Sequence, residues 1–117
     1  MDIRKIIKEE INDFDWTDDI HYSHDELIKF IKYYKIKKWK FEEHWGGDLY
    51  LVRTKIESLG NLESVGGYLY LGGTPIKSLG NLQSVGSNLY LVGTPISKKY
   101  SEQEIRKMVQ IDGELYL

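Results

Sequence analysis

The chain has 117 residues, enough for one domain and too few for two of ordinary size. Lys and Arg number 16 and Asp and Glu 18, and this formal net charge of -2 argues against a general polyanion-binding protein. It has no cysteine, which excludes disulfides, thiolate metal sites and cysteine nucleophiles and favours a reducing compartment such as the cytoplasm. No apolar run approaches the roughly 20 residues of a membrane span, so we expect no membrane partner.

Residues 1–35 are predicted to form a helical N-terminal cap. Over residues 3–14 isoleucines and Phe14 recur on one helical face, which indicates a first amphipathic helix. Ser23 and Glu26 have the spacing of a capping box and predict the start of a second helix. Its apolar stripe continues to Tyr34.

Charge is divided along this cap. Glu9 to Glu26 contains eight acidic residues and no basic one, whereas Lys29 to Lys40 contains six lysines and no acidic residue. The lysines alternate with aromatic residues, a pattern that would suit phosphates and stacked bases. It is equally typical of a solvated helix face beside an acidic segment, and the acidic segment could itself meet a basic partner.

His21 and His24 invite a metal site, with Asp18, Asp19 and Asp25 nearby. However, His21 precedes the predicted helix start, and no third ligand has a supporting motif. We therefore predict no metal and no cofactor.

An internal repeat begins at residue 46. Residues 46–65 and 66–85 agree at 14 of 20 positions without a gap, and residues 86–96 match the start of the second unit at 8 of 11. The chain closes on GELYL, which restarts the phrase after a longer interval than the earlier units have. We divide residues 36–117 into units at about 36–45, 46–65, 66–85, 86–111 and 112–117, the first of them a degenerate half-repeat.

Each unit contains a short alternating strand, such as Leu69-Tyr70-Leu71, followed by apolar residues at intervals of three. Those intervals predict a bent, 3₁₀-like arc with one side facing inward. One such unit cannot bury its own apolar edge, whereas stacked units share a continuous core.

The phrase Leu69-x-Leu71-x-x-Thr74-x-Ile76-x-x-Leu79 resembles the leucine-rich repeat family, with threonine in place of the usual Asn or Cys. The resemblance covers about residues 36–117. It implies an α/β repeat fold, a small right-handed solenoid with parallel strands on its concave face. The threonine hydroxyl is expected to bond the backbone of a neighbouring turn. The short G-G-x-L-x-L-x-G-T-x-I form also resembles repeats of uncharacterised tailed-phage and bacterial proteins.

The final repeat is longer than the others. Ser101 and Glu104 form a second capping-box pattern, which predicts a short helix through Val109. Leu115-Tyr116-Leu117 then returns as a strand. Its free edge could pair with another chain, so we expect a monomer or a weak homodimer.

The alternation of the strands predicts a binding surface, because the residue between two inward leucines points outward. One predicted column contains Tyr50, Tyr70, Tyr90 and Tyr116, and the column one step earlier contains Asp48, Tyr68, Asn88 and Glu114. Lys32 and Lys35 of the cap, and Trp39 just after it, are predicted to extend this surface. Stacked tyrosines could also serve only to stabilise parallel strands.

No phosphate-binding loop, zinc-protease motif or nucleophile elbow is present, so no catalytic residue is expected. We therefore expect a non-catalytic protein-recognition module. The resemblance to phage repeats adds the hypothesis of a small inhibitor that blocks a bacterial host or defence protein by covering it. The alternatives are a nucleic-acid-binding module using Lys29 to Lys40 and a self-assembling repeat protein.

Overall fold

The computed structural model describes residues 24–117 and shows an α/β chain with two four-stranded parallel sheets. The predicted helix over residues 3–14 and most of the acidic segment lie outside these residues. The elements are, in chain order, α1 (His24–Tyr33), β1 (His44–Trp45), β2 (Leu49–Tyr50), β3 (Ser64–Val65), β4 (Leu69–Tyr70), β5 (Ser84–Val85), β6 (Leu89–Tyr90), α2 (Pro95–Lys99), α3 (Glu102–Met108), β7 (Gln110–Ile111) and β8 (Leu115–Tyr116).

Helix α1 packs one face on the repeats. Ile31 is fully buried, and Leu27, Ile28 and Phe30 pack against the core from partly exposed positions. Acidic residues in its first turn and Lys32 in its last turn complement the helix dipole. The predicted second helix is therefore confirmed over His24–Tyr33, and it covers core residues of the first repeat.

The strands β2, β4, β6 and β8 form one sheet, here called the Leu-Tyr sheet. Its register pairs Leu49 with Leu69, Leu69 with Leu89, and Leu89 with Leu115. The chain therefore returns to the same position at two equal intervals and then at a longer one, as the sequence repeat predicts. The prediction of parallel strands is confirmed.

A second sheet was not predicted. It consists of β1, β3, β5 and β7, and we call it the Ser-Val sheet. It pairs Trp45 with Val65, Val65 with Val85, and Val85 with Ile111. The expected 3₁₀-like arc is wrong in this part, because its last two residues are extended and hydrogen-bonded between repeats. Apolar residues at intervals of three can face inward in a 3₁₀-like arc and in an extended segment alike, so the spacing did not distinguish these two conformations.

The core is a continuous stack of aliphatic residues. From residue 46 to residue 96 the two strand leucines and the arc residues of each repeat are buried, and so are the inward residues of the Ser-Val sheet: Trp45, Val65, Val85 and Ile111. Three threonines are the buried polar residues of the described chain: Thr54, Thr74 and Thr94. Each hydroxyl donates to the carbonyl three residues earlier in its own repeat, as Thr74 does to Leu71 at 2.7 Å. The expected bond to a neighbouring turn is therefore corrected to a bond within one turn.

The last repeat contains two helices where one was predicted. Thr94 caps α2, since its hydroxyl accepts from the Ser97 N–H at 3.2 Å. The predicted capping box at α3 is confirmed, with reciprocal bonds between Ser101 and Glu104. The additional length of this repeat, relative to the others, forms these helical turns in place of an extended arc.

Arg106 of α3 covers the final edge of the Ser-Val sheet. Its guanidinium donates to the carbonyls of Ile111 at 3.3 Å and Gly113 at 3.2 Å, and its Nε lies 3.1 Å from Glu102. Equivalent carbonyls of earlier repeats, Val85 and Ser87, accept backbone N–H groups from the following repeat. Arg106 thus supplies the donors that another repeat would supply, which shields this strand edge from pairing.

Candidate binding surface

Four tyrosines lie side by side across the Leu-Tyr sheet. Ring centroids are 4.9 Å apart for Tyr50 and Tyr70, 5.8 Å for Tyr70 and Tyr90, and 5.8 Å for Tyr90 and Tyr116. Tyr50 and Tyr116 are exposed and the two central rings are half-buried. We call these four residues the tyrosine face.

The pleat of short strands creates this face. Leu69 and Leu71 are fully buried on either side of Tyr70, and the leucines on either side of Tyr50 and Tyr90 are buried as well, whereas Leu117 after Tyr116 is 41% exposed. Register pairing then places each ring one strand spacing from the next. The side chains are therefore held in contact by the backbone before any partner arrives.

The face is irregular at its centre. Gly72 stands where the neighbouring repeats have Val52 and Val92, and it is buried. A Cβ at Gly72 would meet the Tyr90 ring at 2.6 Å, so the ring occupies the space of the missing side chain. Tyr90 is consequently tilted 54° from Tyr70, whereas Tyr50 and Tyr70 are nearly parallel at 10°.

Asp48 and Asn88, predicted to contact a partner, hydrogen-bond the backbone of the next repeat. Oδ1 of Asp48 accepts from the Tyr68 N–H at 2.8 Å, and Oδ1 of Asn88 accepts from the Glu114 N–H at 2.9 Å. They connect successive repeats at the entry to each strand. Tyr68 lies beside the face, with its ring 5.6 Å from that of Tyr70.

Asp48 also orients the first ring of the face. The Tyr50 hydroxyl donates to Oδ2 of Asp48 at 3.2 Å. Partial desolvation, then this hydrogen bond and the negative charge of Asp48, raise the pKa of Tyr50 above its ordinary value. The phenol is therefore a neutral donor at neutral pH, and its deprotonation at high pH would remove this hydrogen bond.

The residues at the N-terminal end that were predicted to extend the surface differ in exposure. Lys32 and Lys35 are exposed, and Tyr33 of α1 is 77% exposed. Trp39 is only 8% exposed and packs edge-on against Phe30, with centroids 5.8 Å apart. Its predicted place on the binding surface is corrected, because its ring belongs to the core beneath the cap.

One cluster of metal-ligand side chains was missed. Glu43, His44 and Glu63 offer ligand atoms within 4.8 Å of one another, and Nδ1 of His44 shares a 2.7 Å hydrogen bond with the Ser64 hydroxyl. Glu43 and Glu63 are one repeat period apart, so their proximity could have been predicted from the sequence repeat. All three lie at the surface, where carboxylates commonly cluster without an ion, and we assign no metal to them. The His21 position of the earlier metal hypothesis lies outside the described residues.

No family model, curated protein or solved structure matches the chain. Among residues 24–117, no helix has the length and apolar character required to cross a membrane.

Proposed function

We propose that the chain is a non-catalytic protein-recognition module whose repeats form a small right-handed solenoid of leucine-rich-repeat type. The return of the chain to the same register at a fixed interval supports this architecture, as do the shared aliphatic core and the parallel pairing of the strands. The helical cap and the helix-containing last repeat would close its two ends.

The tyrosine face is the observation that carries the proposed function. Tyrosine offers a rigid apolar ring with a polar tip, and it is enriched where proteins bind one another. Here the rings are already in contact and backed by buried leucines, so binding would immobilise few rotamers.

Size limits how a partner would use the face. Four strands at about 4.8 Å span only about 14 Å, whereas a stable interface usually buries about 800 Å² on each partner. A globular partner would therefore also contact α1, where Lys32 and Lys35 are exposed. We propose that occupancy itself is the mechanism, and that a bacterial host protein blocked by a phage-type inhibitor is the class of target.

The test compares proteins captured from bacterial lysate by the wild type and by Tyr50→Ala/Tyr70→Ala/Tyr90→Ala. We expect the triple variant to lose the captured partner by at least about tenfold, because a few central aromatic residues usually dominate an interface. Circular dichroism must show that the variant is folded. Lys77→Ala/Gln83→Ala, which changes two exposed residues outside the face, is the matched control.

Retention of every captured protein by a folded triple variant would remove the tyrosine face as the binding site. Equal losses in the triple variant and in the control would show that capture depends on general surface properties.

A second candidate function is nucleic-acid binding by α1 and the segment after it. All six lysines from Lys29 to Lys40 are exposed, and the Tyr33 ring is available for stacking. If this function is correct, the affinity for a single-stranded oligonucleotide falls steeply with salt, with a slope that decreases when Lys32 and Lys35 become Gln. Fluorescence anisotropy between low and physiological salt measures it. No binding at low salt, or a flat response, contradicts it.

A further inference from the structure

A shallow groove of about 480 Å³ lies at the corner where the chain leaves the Leu-Tyr sheet. Its volume falls in the range of about 300–1,000 Å³ that is usual for small-molecule sites. The lining residues are Lys55, Gly73, Thr74, Pro75, Gly93, Thr94, Pro95 and Lys98. The groove crosses three repeats and is separate from the residues of the tyrosine face.

The charged side chains that line this groove are all positive. Lys55 and Lys98 are exposed, and neither makes an ion pair within residues 24–117. No carboxylate contributes to the lining. The groove thus presents positive charge with no ion-pair partner within residues 24–117.

The first unit differs in sequence from the second and third units at this corner. The second and third units read Gly-Thr-Pro-Ile, whereas the first unit reads Arg53-Thr54-Lys55-Ile56. Two positions therefore depart from the phrase, and both exchanges add a cation. Neither exchange favours local folding, since one removes a glycine from a left-handed position and the other removes a proline from a turn.

Arg53 has a backbone conformation that is unfavourable for a residue other than glycine. Its φ is 60°, close to the 72° and 79° of Gly73 and Gly93 in the same position of the next repeats. A non-glycine residue in this region is strained, and such strain is concentrated at functional sites. Arg53 does not itself line the groove, but its side chain adjoins the lining at Gly73, because its Cγ lies 3.3 Å from the Cβ position of Gly73. Its guanidinium makes no hydrogen bond or ion pair within residues 24–117.

We propose that this groove binds the phosphate groups of a small, multiply charged anion through Lys55, Lys98 and Arg53. Phosphate oxygens are strong acceptors for both ammonium and guanidinium groups. Three cations without counter-ions, two on the first full repeat and one two repeats later, match a chain of at least two phosphates better than a single monoanion. The inference does not depend on the tyrosine face or on any protein partner.

The test uses inorganic pyrophosphate and adenosine diphosphate as probes, followed by amide NMR shifts at low ionic strength. We expect saturable binding, with the largest shifts at Gly73, Gly93 and Lys98. Equal affinity for the two probes assigns recognition to the phosphates alone, and tighter binding of the nucleotide adds contacts to the base. Both results support the proposal.

Variants connect the binding to the named residues. Lys55→Gln and Lys98→Gln should each weaken pyrophosphate binding about threefold to fivefold, the effect of one exposed ion pair, and the double variant about tenfold or more. Lys107→Gln removes an equally exposed lysine on α3, away from the groove lining, and should leave the affinity unchanged.

Arg53→Gly gives two readouts of opposite sign. Glycine adopts this φ without steric strain, so the melting temperature of the variant should equal or exceed that of the wild type. Pyrophosphate binding should weaken by about threefold to fivefold, because one cation is lost. A purely structural role for Arg53 would not produce that combination. The proposal is overturned if neither probe binds at millimolar concentration, if Lys107→Gln matches Lys98→Gln, or if Arg53→Gly binds as the wild type does.

Discussion

Gly86→Ala is expected to destabilise the protein by about 3 kcal/mol, the upper part of the usual range for overpacking. A Cβ at this position would collide with the Gly66 carbonyl oxygen and lie 2.8 Å from the Gly66 carbonyl carbon. Both neighbours are backbone atoms, so the clash cannot be relieved by a change of side-chain rotamer. Moving the two repeats apart to make room would break the hydrogen bond from the Gly86 N–H to the Val65 carbonyl, which is 2.8 Å long.

Gly46→Ala is the matched control for this variant. Gly46 occupies the same register position two repeats earlier, is likewise exposed, and has nothing within 4 Å of its Cβ position. Its free energy of unfolding should change by less than about 1 kcal/mol. Urea unfolding followed by circular dichroism measures both variants. Similar midpoints for the two would show that close stacking of repeats does not require glycine at position 86.

Leu71→Asp is expected to abolish folding. Leu71 is fully buried in the middle of the repeat stack, and its carbonyl accepts the Thr74 hydroxyl. An uncompensated carboxylate there costs several kcal/mol, which is comparable to the whole stability of about 5–15 kcal/mol of a small domain. The disturbance also spreads, because every repeat depends on its neighbours to bury its apolar residues.

Val52→Asp introduces the same charge at a site that is 36% exposed in the preceding repeat, and we expect it to remain folded. Leu71→Ala gives a graded measurement, with an expected loss of about 2–5 kcal/mol from the lost transfer energy and the cavity. Thermal unfolding monitored by tryptophan fluorescence compares the three. A cooperative transition for Leu71→Asp near the wild-type midpoint would contradict the shared core.

Much of the candidate binding surface could be predicted, because the repeat period fixes which residues of successive strands lie side by side. Once the chain returns at a fixed interval, the pleat places Tyr50, Tyr70 and Tyr90 in one column without further information. The longer last repeat was visible for the same reason, since Leu89 and Leu115 begin the same phrase.

Roles within the columns were harder to predict. Asp48 and Asn88 were expected to face a partner, yet their side-chain oxygens bond the next repeat. Trp39 stands among lysines in sequence and was assigned to the surface, whereas packing against Phe30 buries it. A polar or aromatic side chain can turn toward solvent or toward its own fold, and the local pattern does not distinguish the two.

The sequence by itself determined the repeat length, the tyrosine column and the capping box of α3, because each follows from the spacing of residues along the chain, and the resemblance to leucine-rich repeats implied the parallel pairing of the leucine strands. Only the tertiary structure decided the second sheet, the burial of Trp39, the closure of the final edge by Arg106 and the basic groove at the repeat corners. These features join residues of different repeats or helices at atomic distances. Such distances depend on how the repeats stack and turn, which a one-dimensional pattern does not specify.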